Sequence, residues 1–143
     1  MDRRRIWRKR GALLLTGAAA LCMGAAWAWQ RDLTVTEYEV ELPVGLEGLD
    51  GMKLVQIADL HSADFRGQLE GALGALAPDM IVITGDLVNR EDRDLGRALS
   101  LAAAAAKTAP TYFTPGNHEA DNPCYPELKD GLKEAGVAVL EHQ

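Results

Sequence analysis

Three short polar clusters carry the residues that could do chemistry: Asp59-Leu60-His61, Gly85-Asp86 and Gly116-Asn117-His118-Glu119. Asp59 and Asp86 offer carboxylate oxygens, Asn117 an amide oxygen, and His61 and His118 imidazole nitrogens. Such a donor set suits Mn, Fe, Zn, Co or Mg rather than soft metals. A carboxylate set between two ions can bridge them, and two ions about 3.5–4 Å apart clamp the oxygens of an in-line phosphoryl displacement. Each cluster alone has a plainer reading. A lone Asp caps a turn, Gly-Asp makes one, Asn after Gly is a common left-handed turn residue, and a single loop His forms hydrogen bonds. Their order, with each closing an apolar run, points to one shared site.

The runs that precede these clusters must do the positioning. Lys53 to Ala58, Met80 to Thr84 and Thr111 to Thr114 are short and apolar, as buried strands are. Gly67 to Ala77 sets Leu69, Leu73 and Leu76 on one helical face, and Asp94 to Thr108 is an Ala- and Leu-rich helix almost free of breakers. Pro126 to Ala135 predicts a third helix and Val137 to Leu140 a fourth strand. Strand–helix alternation with short links implies right-handed crossovers and a parallel sheet. Ligands bind beyond the carboxyl ends of such strands, where all three clusters fall. Upstream, Val35 to Leu42 alternates Tyr38, Val40 and Leu42 with Glu37, Glu39 and Glu41, which predicts a half-exposed strand.

The chain has 143 residues and a net charge of −6, room for one modest domain. That charge is unevenly spread. Residues 1–10 hold six cations against Asp2, a net of +5, so the remainder carries −11. A body this acidic predicts no nucleic-acid partner, because neutralising phosphates needs a basic face. The basic block instead flanks residues 11–29, nineteen uncharged positions from Gly11 to Trp29. About 20 apolar residues cross a bilayer as a helix, and cations on one flank keep that side in the cytoplasm. The expected organisation is a cytoplasmic basic segment at 1–10, a transmembrane signal-anchor at 11–29 and a domain over 30–143. The domain then lies outside the cytoplasm on a single-pass protein of the cell membrane. Two rivals stand beside this: a cleavable signal peptide ending at Ala26-Trp27-Ala28, and twin-arginine export from Arg3-Arg4-Arg5. The length of the apolar stretch and its bulky Trp27 favour the uncleaved anchor. With Cys22 in that stretch and Cys124 in the body, no disulfide within the domain is expected.

The series D-L-H, G-D-L-V-N and G-N-H-E resembles the calcineurin-like metallophosphoesterase superfamily, and its surrounding text the membrane-anchored bacterial subgroup. The likeness runs from about Lys53 to Leu140. It implies an α/β fold: the N-terminal half of a metallophosphoesterase-type β-sandwich flanked by helices, here preceded by one transmembrane helix. It implies two divalent ions, with Asp59 and His61 on the first, Asp86 bridging both and Asn117 on the second. His118 would face the scissile phosphate as the catalytic residue, a metal-bound hydroxide would attack, and Glu119 would support the ligands without being one. Phosphodiester or pyrophosphate bonds of small or lipid-linked envelope substrates are the implied targets. The pattern also calls for three more histidines, one isolated and two in G-H-x-H, whereas the three present are His61, His118 and His142. His142 lacks that context and reads as an exposed terminal residue. The expectation is therefore an incomplete domain, inactive alone, with one face of its sheet uncovered. A membrane-anchored module that binds a metal or a partner is the competing reading.

Overall fold

The computed structural model describes residues 33–141. The basic segment at 1–10, the anchor at 11–29 and His142 lie outside the described residues. No helix among the described residues is long and apolar enough to cross a membrane.

Four strands form one parallel sheet in the order β1-β2-β3-β4: β1 (Leu54–Ile57), β2 (Met80–Ile83), β3 (Thr111–Phe113) and β4 (Ala138–Val139). Helices α1 (Gln68–Leu76), α2 (Gly96–Thr108) and α4 (Tyr125–Glu134) cross over between them, and a short α3 (Asn117–Asp121) follows β3. Each predicted strand and crossover helix from Lys53 onward is present, within two residues of its expected bounds.

When strands follow one another in sequence order, right-handed crossovers place every connecting helix on the same face. Burial agrees. Ile57, Ile81, Ile83 and Phe113 are buried and share one core with Leu73, Leu101, Leu128 and Leu132. The alanine run of α2 serves this packing, because Ala98, Ala102 and Ala105 lie on its buried side with Leu101. Alternate strand residues are half-buried or exposed, Leu54 reaching 54%. Of the expected sandwich, the described residues thus contain one helix-covered parallel sheet.

One predicted strand is absent. Val35 to Leu42 has no regular structure, with Tyr38 86% and Val40 74% exposed. Period-two alternation supplies an apolar face, but a strand also needs a neighbouring edge to bond, and this segment has none among the described residues.

Candidate metal centre

The parallel ladder does not stop where the strands do. Thr84 N–H donates to Ile57 O (2.9 Å), and Thr114 N–H to Ile83 O (3.0 Å). Next, Asp59 N–H donates to Gly85 O (3.3 Å), His61 N–H to Asp86 O (2.9 Å) and Ser62 N–H to Leu87 O (3.0 Å). Beyond the strand ends these loop-to-loop bonds bring the first cluster against the second.

Contact between the second and third clusters is closer still. A Cβ on Gly85, which has φ +92°, would lie 2.6 Å from the Gly116 backbone. One on Gly116 would lie 2.2 Å from Asp86 Oδ1. Both positions exclude a side chain so that two loops can touch. His118 N–H donates to Asp86 Oδ1 (2.9 Å), fixing that carboxylate from across the gap. Asp59, His61 and Asp86 hold φ near +50°, in the left-handed region. For residues with a Cβ this costs about 1–2 kcal/mol each, and such strain gathers at working sites. Asn117 is not left-handed. It opens α3, a helix missed in the sequence although Glu119, at its third position, is the residue that reaches back to such a start.

Glu119 holds the junction together. It is fully buried, and its Oε2 accepts from the N–H groups of both Asp86 (2.8 Å) and Gly116 (2.8 Å). Oε1 accepts from Val88 N–H (3.0 Å). The expected supporting role has this concrete form, with the carboxylate turned to backbone donors.

His61, Asp86 and His118 form a cluster in which one ligand atom from each lies within 4.8 Å of the others. Both imidazole Nδ1 atoms are buried with no hydrogen-bond partner, and the two rings meet edge to face at 4.5 Å. A buried nitrogen with neither donor nor acceptor is costly, so both imidazoles await a partner in a cluster that could hold a metal ion. The residues present therefore fit a divalent ion. Of the other expected ligands, Asp59 is exposed and outside this cluster. Asn117 is exposed, and its amide lies 3.2 Å from Asp86 Oδ2 and 2.8 Å from Arg90 Nη2.

A further network, not singled out in the sequence, backs His61. Asp92 Oδ2 accepts from Ser62 Oγ (2.5 Å), Asn89 N–H (2.8 Å) and Asn89 Nδ2 (3.1 Å). Asn89 Nδ2 also donates to His61 O (2.9 Å), and buried Asn122 Nδ2 to Asn89 O (2.7 Å). Burial pushes the Asp92 carboxyl up, but the Ser62 and Asn89 bonds and the nearby His61 outweigh it and leave it below its ordinary value. Asn89 closes the G-D-L-V-N text and Ser62 follows D-L-H by one residue, which was the only local signal. A shallow cavity of about 110 Å³ beside this loop is lined by Leu60, Phe65, Arg66 and Arg97, and none of the three clustered residues lines it.

Fold and site together give an α/β chain whose His61, Asp86 and His118 could hold a metal ion at the ends of parallel strands. Residues 52–140 match the model of the calcineurin-like phosphoesterase family, and the chain belongs to that family. It is 33% identical over 118 residues to a transmembrane protein with metallophosphoesterase domain from Danio rerio, covering 76% of this chain and 25% of that protein. It is 32% identical over 74 residues to the UDP-2,3-diacylglucosamine pyrophosphatase LpxG of Chlamydia muridarum, covering 45% and 22%. Phosphopantetheinyl hydrolase of Mycobacterium tuberculosis is a similar solved structure, at TM-score 0.44 and 23% identity, covering 64% of this chain and 36% of that one. The chain spans about a quarter of the length of the curated relatives it matches.

Proposed function

We propose that this chain carries the N-terminal part of a two-metal phosphoesterase that hydrolyses phosphodiester or pyrophosphate bonds. The observation that carries the reading is the cluster of His61, Asp86 and His118, in which one possible ligand atom of each lies within 4.8 Å of the others. Asp59, His61, Asp86 and Asn117 would hold the two divalent ions. Bound ions of this kind lower the pKa of water and neutralise charge on phosphoryl oxygens.

The chain's own residues supply the rest. Gly85 and Gly116 let the ligand loops meet, Glu119 fixes their spacing, and the His118 N–H bond orients Asp86. The His118 imidazole faces the scissile phosphate and holds the proton that the leaving oxygen needs. An anchor at 11–29 keeps the domain at the outer membrane–water boundary of a bacterial cell. Substrates of the envelope then come within reach, lipid-linked pyrophosphates among them, as the name of the chlamydial relative suggests.

The test is hydrolysis by the purified full-length protein with Mn(II), comparing bis(p-nitrophenyl) phosphate with a lipid-linked nucleoside diphosphate sugar. Turnover that depends on Mn(II) and disappears in Asp86→Asn supports the proposal. Full Mn(II) binding with no hydrolysis of either compound favours the metal- or partner-binding module instead, a reading that the exposed Leu54 on the helix-free face also suits.

A further inference from the structure

Asn117 sits between two unlike neighbours. On one side is Asp86 Oδ2, which can only accept, and on the other is Arg90 Nη2, which can only donate. As placed, the amide oxygen faces Asp86 and the NH₂ faces Arg90; the swapped orientation satisfies both neighbours, its NH₂ then donating to Asp86 at 3.2 Å and its oxygen accepting from Arg90 at 2.8 Å. Arg90 is held in place by a second bond, Nε to Asp121 Oδ2 at 3.2 Å. Without an ion, hydrogen bonding therefore favours the orientation in which the guanidinium takes up the amide oxygen.

A divalent cation ligates the amide through that same oxygen and not through the NH₂. From that hydrogen-bonded orientation, the amide must rotate by half a turn to share an ion with Asp86. Rotation breaks both bonds and leaves NH₂ facing Nη2, donor against donor at 2.8 Å. Arg90 must then withdraw, and with 46% of its side chain exposed it has room to do so.

We propose that Arg90 is a latch on Asn117: its bond to the amide oxygen and ligation of an ion by that oxygen exclude one another. Arg90 is a positioning residue that acts on the ion through Asn117. Asp121, by anchoring the guanidinium, keeps the latch within reach. The inference rests on the reading of Asn117 as a ligand. It goes further in making entry of the second ion a competition with a named side chain.

The experiment is a Mn(II) titration of the full chain, with free ion followed by its paramagnetic resonance signal. The proteins are wild type, Arg90→Ala, Asn117→Ala and the double variant. Arg90→Ala should bind the weaker ion roughly two- to tenfold more tightly, the range for release of one competing hydrogen bond. Against Asn117→Ala the same change should have no effect, because the group through which it acts is gone. A second titration at 1 M NaCl, where the screening length is about 3 Å, separates the latch from simple charge repulsion. The gain should persist there. Equal affinity of wild type and Arg90→Ala overturns the inference, as does a gain that vanishes at 1 M NaCl or survives in the Asn117→Ala background. If wild type takes up no Mn(II) at all, the metal-centre reading falls with it. Normal Mn(II) uptake without a latch effect removes the inference alone.

Discussion

The Glu119 carboxylate accepts a hydrogen bond from the backbone N–H of Asp86 at 2.8 Å, across 33 residues of sequence and from full burial. Through the same oxygen it holds Gly116, so one side chain fixes the distance between two ligand-bearing loops. Glu119→Gln puts an NH₂ where only acceptors are satisfied. At least one buried N–H then loses its partner, at a cost of about 1–3 kcal/mol. Thermal unfolding should shift down by several degrees, and Mn(II) affinity should fall with it. An unchanged midpoint would mean that the loops are spaced by something else.

Gly116→Ala and Gly85→Ala should fail in different ways. The first leaves its own backbone unstrained (φ −93°) but drives a methyl group against Asp86 Oδ1 and to 2.6 Å from the Asp86 backbone nitrogen. Ion affinity should drop, by roughly 10–100-fold as for other residues that orient ligands. The second drives a Cβ into Gly116 backbone at φ +92°, where neither partner yields. Its loss should show in the unfolding midpoint even in the presence of chelator.

Asp86→Asn should cost activity by several orders of magnitude and lower the occupancy of both ions. His118→Ala is the more instructive variant. As the proton carrier it should keep both ions and lose about 10²–10⁴-fold in turnover. Its imidazole, however, lies within 4.8 Å of the His61 and Asp86 ligand atoms. Equilibrium dialysis of the variant decides the matter: a missing ion would make His118 a ligand.

Removing metal should itself destabilise the fold. An ion held only by the native state contributes about 2.7 kcal/mol at a hundred times its dissociation constant. Chelator should therefore lower the midpoint of wild type and leave that of a His61→Ala/Asp86→Asn double variant nearly unchanged.

Asp92 sets an acid limit. Its folded carboxyl lies below the ordinary value of 3.8, so its contribution is fully present above that value. It is lost as pH falls further, through the lower folded value. The stability gap between wild type and Asp92→Asn, measured by urea unfolding, should be wide at about pH 6 and narrower at about pH 3. A gap that widens in acid would reverse the sign and refute the Ser62 and Asn89 bonds as its origin.

Much of this molecule was legible before its structure. Met80 to Thr84 could hardly be anything but a buried strand, and strand ends in an alternating α/β pattern share a rim, so the convergence of the three clusters followed. Val35 to Leu42 misled because alternation reports one apolar face and says nothing about a bonding partner. Glu119 was read as support, but three backbone donors cannot be inferred from a one-letter code. Arg90 and Asp92 went unnoticed for the same reason. Charged residues after a motif read as solvated surface until the fold brings Asn117 beside one and Ser62 beside the other.

The bonding that continues past the strand ends has a consequence for how such a site can change. Because Asp59, His61 and Asp86 take their positions from the pairing of β1 with β2, the site behaves as a vernier. One residue inserted within β1 would advance the chain by about 3.3 Å and turn the residues after it to the opposite face. The donors would then disperse even with every one of them still present. Residues added within α1 or α2 pass through no such gauge. Length variation should therefore be tolerated in the crossovers and rejected within β1.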